Sequence, residues 1–263
     1  MRLKGIVFAL ALLAPAPALA GSMPVDELNS PMWEAHAERL FSGAPVVFDH
    51  RVKVLLPLLV ENQHALPVTV DARELGAVEK IVIFADYNPI PIALELEPLK
   101  ARAYIATRIK IDQGTPVRAA VRTKDGTWRI GGAWVDASGG GCSAPPSSRV
   151  RGDWTTLFGQ MRGAAWQDAG GTRMRVSIRH PMDTGLVENI AAYNLEELVV
   201  ADASGIPLAR LKIHGSVSED PSFTLMVDPA GDGALAIRAR DTDGVQFVGT
   251  IETGDQAPNL AMR

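Results

Sequence analysis

The chain has 263 residues, 47% hydrophobic and 21% charged, with 24 Gly, 18 Pro and a single Cys. That composition is globular and excludes a disulfide scaffold, a collagen-like chain and a disordered polyelectrolyte. A formal net charge of −4 without a basic stripe argues against a nucleic-acid grip or an anionic membrane surface as the partner.

Residues 1–20 form a predicted signal peptide. Arg2 and Lys4 supply a positive start, residues 6–13 are apolar, and Ala18-Leu19-Ala20 is the small-x-small pattern of a cleavage site after Ala20. An uncleaved anchor is the alternative, but the apolar run is shorter than the ~20 residues that span a bilayer. The expected location is therefore the periplasm, with no membrane insertion after cleavage. A lone Cys142 in that oxidising compartment is unusual, because structural cysteines there come in pairs.

Residues 31–41 (PMWEAHAERLF) predict a short helix with Ser30 as N-cap and Pro31 at the first helical position. From there the periodicity is near two. Short strands are expected around Val52 and Val54, Val68 and Val70, 80–84, 102–111, 117–123 and 127–135, with a hairpin at Lys124-Asp125-Gly126. Residues 137–153 (ASGGGCSAPPSSRVRGD) break the rhythm and read as a linker or an exposed arm. A second β-rich block follows, with Met174, Val176 and Ile178 alternating and turns at Asp202-Ala203-Ser204-Gly205 and Asp241-Thr242-Asp243-Gly244. The expected fold is all-β: two β-sandwiches, at 30–136 and 165–255, with a short N-terminal helix and the cysteine-bearing linker at 137–153 between them.

Cys142 is the most distinctive chemical group. Gly139, Gly140 and Gly141 precede it and Ser143 follows, so the thiol is expected on a flexible arm. A tolerated free Cys in a linker is the alternative. Reactivity would follow exposure and pKa, and Arg149 and Arg151 are the nearest cations in sequence. The five histidines (His36, His50, His64, His180, His214) lack metal-site spacing. Residues 231–236 (GDGALA) precede a strand pattern and so fail the context of a dinucleotide loop. No G-x-S-x-G elbow is present. Glu95-Leu96-Glu97 and Glu196-Glu197 read as solvated positions, Trp128 and Trp134 as core or interface anchors, and residues 180–185 (HPMDTG) as a shaped turn. No acid, base or metal constellation points to an enzyme or to a bound cofactor.

Ordered pieces along the chain resemble a known family. The first set is Glu61-Asn62, Pro67-Val68, Asn88-Pro89-Ile90-Pro91, Thr107-Arg108-Ile109-Lys110, Thr115-Pro116-Val117, Lys124-Asp125-Gly126 and the Gly-rich cysteine segment. The second is Arg179-His180-Pro181-Met182-Asp183-Thr184-Gly185, Val217-Ser218-Glu219-Asp220-Pro221 with Phe223, and Arg240-Asp241 before Gly244. Together they resemble a fusion of the two subunits of the SoxYZ sulfur carrier, in the variant associated with quinoprotein dehydrogenases. The resemblance implies two immunoglobulin-like sandwiches side by side, in a non-enzymatic carrier. Cys142 would hold a sulfur adduct, as in thiosulfate oxidation, and present it to periplasmic sulfur-oxidation enzymes. The alternative is an assembly module for a quinoprotein dehydrogenase or its cytochrome c partner, with Cys142 incidental. The chain departs from the family's Gly-Gly-Cys-Gly-Gly arm: Ser143-Ala144-Pro145-Pro146 replaces the trailing glycines, and the arm lies mid-chain.

Overall fold

The computed structural model describes residues 23–168, 171–228 and 233–254. The predicted signal peptide lies outside the described residues. The N-terminal half holds α1 (Trp33–Phe41), β1 (Val46–Phe48), β2 (Lys53–Leu55), β3 (Leu66–Asp71), β4 (Val78–Ala85), β5 (Ile92–Glu97), β6 (Tyr104–Ile109), β7 (Thr115–Thr123) and β8 (Trp128–Val135). A five-residue helix, α2 (Ser147–Arg151), follows the cysteine segment, where no regular structure was expected. The C-terminal half holds β9 (Met161–Asp168), β10 (Gly171–Ile178), β11 (Leu195–Ala201), β12 (Pro207–Ile213), β13 (Ser222–Val227), β14 (Leu235–Asp241), β15 (Gln246–Ile251) and β16 (Thr253–Gly254).

The all-β, two-sandwich architecture expected from the periodicity is what forms, and the three turn motifs join β7 to β8, β11 to β12 and β14 to β15. Gly126 and Gly244 take the positive φ that such turns require, at +83° and +84°. Helix α1 begins two residues later than predicted. Ser30 acts in the preceding turn, where its hydroxyl accepts the Met32 N–H.

The halves are not merely adjacent. One sheet runs β1-β8-β7-β4-β5-β12-β11-β14-β15 and the other β16-β9-β10-β13-β6-β3-β2, so both sheets pass unbroken from one half to the other. The seams are the antiparallel pairs β5–β12 and β6–β13. Alternation explains the first seam. Leu94 and Leu96 meet Ile213 and Leu211 on the buried face, while Glu95 and Glu97 meet Lys212 and Arg210 on the open face. Those ion pairs, at 3.0 and 3.2 Å, satisfy the charges and fix the register more than they add stability, since exposed pairs contribute about 0.2–1 kcal/mol. One apolar core runs between the sheets through both halves, from Val52 to Ile251.

Helix α1 covers the outer face of the larger sheet, with Trp33, Ala37 and Phe41 against Phe84, Ala120 and Trp128. Beneath it, Arg118 on β7 is fully buried. Its guanidinium makes paired hydrogen bonds to Asp86 (3.0–3.1 Å) and to Asp26 (2.7 and 2.8 Å), and lies 4.8 Å from the Trp33 ring. One cation therefore fastens the N-terminal segment and the helix to the sheet. Replacing Arg118 by Met is expected to strand two buried carboxylates and to cost about 3–5 kcal/mol. Thermal unfolding should show a fall in Tm on the order of 10 °C; an unchanged Tm would overturn this account of the buried triad.

Candidate functional site

The end of β6 carries the chain into Lys110, Ile111 and Asp112, the floor on which the cysteine segment rests. Asn88 shapes that floor. Its amide donates to the Lys110 carbonyl (2.8 Å) and its side-chain oxygen accepts the Asp112 N–H (3.0 Å). The 61–65 loop closes one side, where the Gln63 carbonyl accepts the Ile111 N–H (2.9 Å). The C-terminal half closes the other with residues 182–184.

Every residue from Gly139 to Ser143 is held there. Gly139 N–H donates to Gln63 Oε1 (3.2 Å), Gly140 N–H to the Asp112 carbonyl (3.1 Å) and Gly141 N–H to the Ile111 carbonyl (3.0 Å). Asp112 Oδ1 accepts from both Cys142 N–H (3.2 Å) and the Ser143 hydroxyl (3.0 Å). Thr184, from the other half, donates its hydroxyl to the Cys142 carbonyl (2.8 Å). The expectation of an exposed thiol on a flexible arm formed by Gly139, Gly140, Gly141 and Ser143 is therefore corrected. The segment is docked between the halves, and Cys142 has no exposed surface.

The glycines also have a different use from the one expected. A Cβ on Gly141 would lie 2.3 Å from two backbone carbonyl oxygens, those of Gln63 and Ile111. Only a residue without a side chain lets the strand of chain come this close. Gly139 adopts φ +104°, a region open mainly to glycine, and a Cβ there would meet the Asp112 carbonyl at 2.8 Å.

Burial, and then the Asp112 carboxylate, push the Cys142 thiol up to about 12, with Lys110 opposing them. The docked sulfur is thus a neutral thiol at ordinary pH, and a thiol is a poor nucleophile. Lys110 is itself buried. Its ammonium donates to the carbonyls of Met182 and Gly215 (2.9 Å to the latter), both in the other half, and burial lowers it to about 8.

Behind this slot the 147–154 segment is anchored to the C-terminal half. Glu219 accepts the N–H groups of Ser147 and Ser148, each at 2.8 Å, at the start of α2. Arg149 pairs with buried Asp183 and lies 3.9 Å over the Trp154 ring. His180 is enclosed by Phe158, Tyr193 and Phe247, and burial depresses it to about 4, so it is neutral. Arg151 pairs with Asp153 rather than approaching the sulfur. Among the described residues no His, Cys, Asp and Glu group could hold a metal ion, and no helix is long and apolar enough to cross a membrane.

Sequence reasoning found Cys142 and the glycines but missed Asp112, Thr184, Gln63 and the role of Lys110. Lys110 and Thr184 stand inside quoted motifs whose purpose only their meeting reveals. Removing the Thr184 hydroxyl as Thr184→Val should cost the docked state about 1 kcal/mol. Alkylation of Cys142, slow in the native protein relative to the unfolded chain, should quicken about fivefold by that energy. Gly141→Ala, which the two carbonyls cannot accommodate, should quicken it more than tenfold. An unaltered rate in Gly141→Ala would sink the docked-loop account.

Two family models match the chain: sulfur oxidation protein SoxY over residues 37–142, and sulphur oxidation protein SoxZ over residues 161–252. The first match ends on Cys142. Among solved structures, the sulfur carrier protein SoxY from Chlorobium limicola f thiosulfatophilum is similar at 18% identity, covering 40% of this chain and 94% of that one, with a TM-score of 0.36. Fibronectin(III)-like modules of Clostridium thermocellum CbhA match at 8% identity, covering 80% of this chain and 98% of that one, TM-score 0.21. A beta-glycosidase from Bacteroides vulgatus matches at 12% identity, covering 80% of this chain and 25% of that one, TM-score 0.24. All three scores are low, and the weight of identification rests on the two family models. No curated protein sequence matches the chain.

Proposed function

The chain belongs to the SoxY and SoxZ families, joined in that order in one polypeptide, and from that premise we propose that it is a sulfur carrier whose cargo rides covalently on Cys142. The observation that supports this reading is the position of the one cysteine at the last residue of the SoxY match, in a slot both halves build. The carrier works in the periplasm, reached through the predicted signal peptide at 1–20, and serves sulfur-oxidation enzymes there.

Loading has three physical requirements. The loop leaves its slot, the thiol loses its proton, and an S–S bond forms to the incoming sulfur. Joining the thiolate to an inorganic sulfane anion such as thiosulfate releases two electrons, which a partner redox protein accepts. Undocking removes both causes that hold the thiol neutral, burial and the neighbouring Asp112 carboxylate, so the proton leaves more easily from the open loop. Docking afterwards shelters the sulfur from adventitious oxidation. The loop is held at both ends, so it suits a shallow partner site rather than a deep channel.

The burial of the thiol also favours a second reading. The chain would then be an assembly module for a quinoprotein dehydrogenase or its cytochrome c partner, with Cys142 a packed core residue. Intact mass separates the two. Protein isolated from periplasm without reductant should carry a reducible increment on the Cys142 peptide, absent from Cys142→Ser. A Cys142→Ser protein that acquires the same increment, or fully supports sulfur oxidation, would overturn the carrier reading. Recovery of a dehydrogenase by both proteins alike would favour the module.

A further inference from the structure

Lys110 is a buried cation near enough for its charge and that of an ionised Cys142 to influence one another, and the docking contacts of the loop do not use it. It is 4% exposed. It precedes Ile111, whose carbonyl accepts Gly141 N–H, and Asp112, whose carboxylate accepts Cys142 N–H. Its ammonium reaches the Met182 carbonyl, two residues before Thr184, whose hydroxyl donates to the Cys142 carbonyl. Lys110 and Cys142 are therefore gripped by the same two segments, 110–112 and 182–184.

A lysine ammonium has three N–H donors. The carbonyls of Met182 and Gly215 take two of them. Carbonyls satisfy hydrogen bonds but leave the charge unneutralised, and a buried unneutralised charge is unfavourable. The acids nearby are committed elsewhere. Asp183 pairs with Arg149, Glu219 caps the start of α2, and Asp112 accepts from Cys142 N–H and Ser143. His64 faces the loop through a contact to the Gly141 carbonyl (3.3 Å). The docked thiol is neutral, but a negative charge placed on Cys142 would raise the Lys110 ammonium more than Asp183 or Glu219 does.

We propose that Lys110 is a positioning residue for anionic sulfur: in the docked loop its ammonium holds a negatively charged adduct on Cys142, so that the slot prefers charged cargo over neutral cargo. A thiosulfonate or a persulfide anion would lie beside the cation, and a neutral thioether would not be held. The biological use of this preference rests on the carrier reading. The preference itself is a property of the chain and can be tested without any partner.

Tetrathionate supplies the probe. The Cys142 thiolate attacks a sulfane sulfur of tetrathionate, the central S–S bond breaks, and thiosulfate leaves with the electron pair. The protein retains Cys–S–S–SO3⁻, with no net oxidant left over. Iodoacetamide gives a neutral adduct on the same sulfur. With both proteins fully modified by intact mass, the Lys110 side-chain NMR signal is titrated. The Lys110 ammonium should titrate at least one pH unit higher in the thiosulfonate form than in the carbamidomethyl form. Reduction should release the charged adduct several-fold faster in Lys110→Met than in the native chain, with Lys110→Arg restoring retention. Equal titration in the two adducts would overturn the proposal and leave Lys110 as a tie between the halves. A charge-dependent Lys110 in a protein never found loaded in the periplasm would instead fail the carrier reading alone.

Discussion

The pairing of β5 with β12 and of β6 with β13 is the constraint on which the rest of this molecule depends. It makes one pair of sheets out of two sandwiches and one core out of two. It also sets the site. Past the end of β6 the seam continues through the Ile109–Val217 bridge, the Lys110 N–H to the Ser216 carbonyl and the Ser218 N–H to the Arg108 carbonyl. That zipper carries residues 110–112 of one half against 182–184 and 215–218 of the other. The slot for Cys142 is what lies between them.

A thiol in this slot is protected in two ways. It is out of contact with solvent, and it keeps its proton. Both follow from burial in a place where the Asp112 carboxylate opposes ionisation and the Lys110 ammonium, itself lowered by desolvation, only partly offsets it. The glycines serve this packed state by letting backbone meet backbone. The same absence of side chains leaves the loop few apolar contacts holding it down, so its retention rests on a handful of hydrogen bonds, each of modest net worth. A segment secured in that manner can be both ordered and releasable.

The arrangement of charge is consistent with this division of labour. On the open face of the larger sheet, acids and bases pair across the seam and between β11 and β14, and neutralise one another in solvent. Under α1, Arg118 is matched by two carboxylates with bidentate geometry. Lys110 alone among these three settings is buried against neutral carbonyls.

Much of this was legible in the linear chain. Period-two alternation gave the strands, Asp-Gly and Asp-x-x-Gly turns gave the hairpins, and the ordered motifs with a single glycine-flanked cysteine pointed to the family and to the sulfur. These are local signals, carried by residues a few positions apart, and local backbone preference and amphipathic pattern suffice to produce them. The continuous sheets, the meeting of Lys110 with Met182, the Thr184 hold on Cys142 and the burial of the thiol were not legible. Each joins residues tens of positions apart, and a glycine run reads the same whether it frees a chain or lets it pack closely. The sequence by itself determined which atoms are available for chemistry; the tertiary structure alone decided that the thiol is enclosed rather than displayed, because only the seam between the halves brings together the segments that bury it.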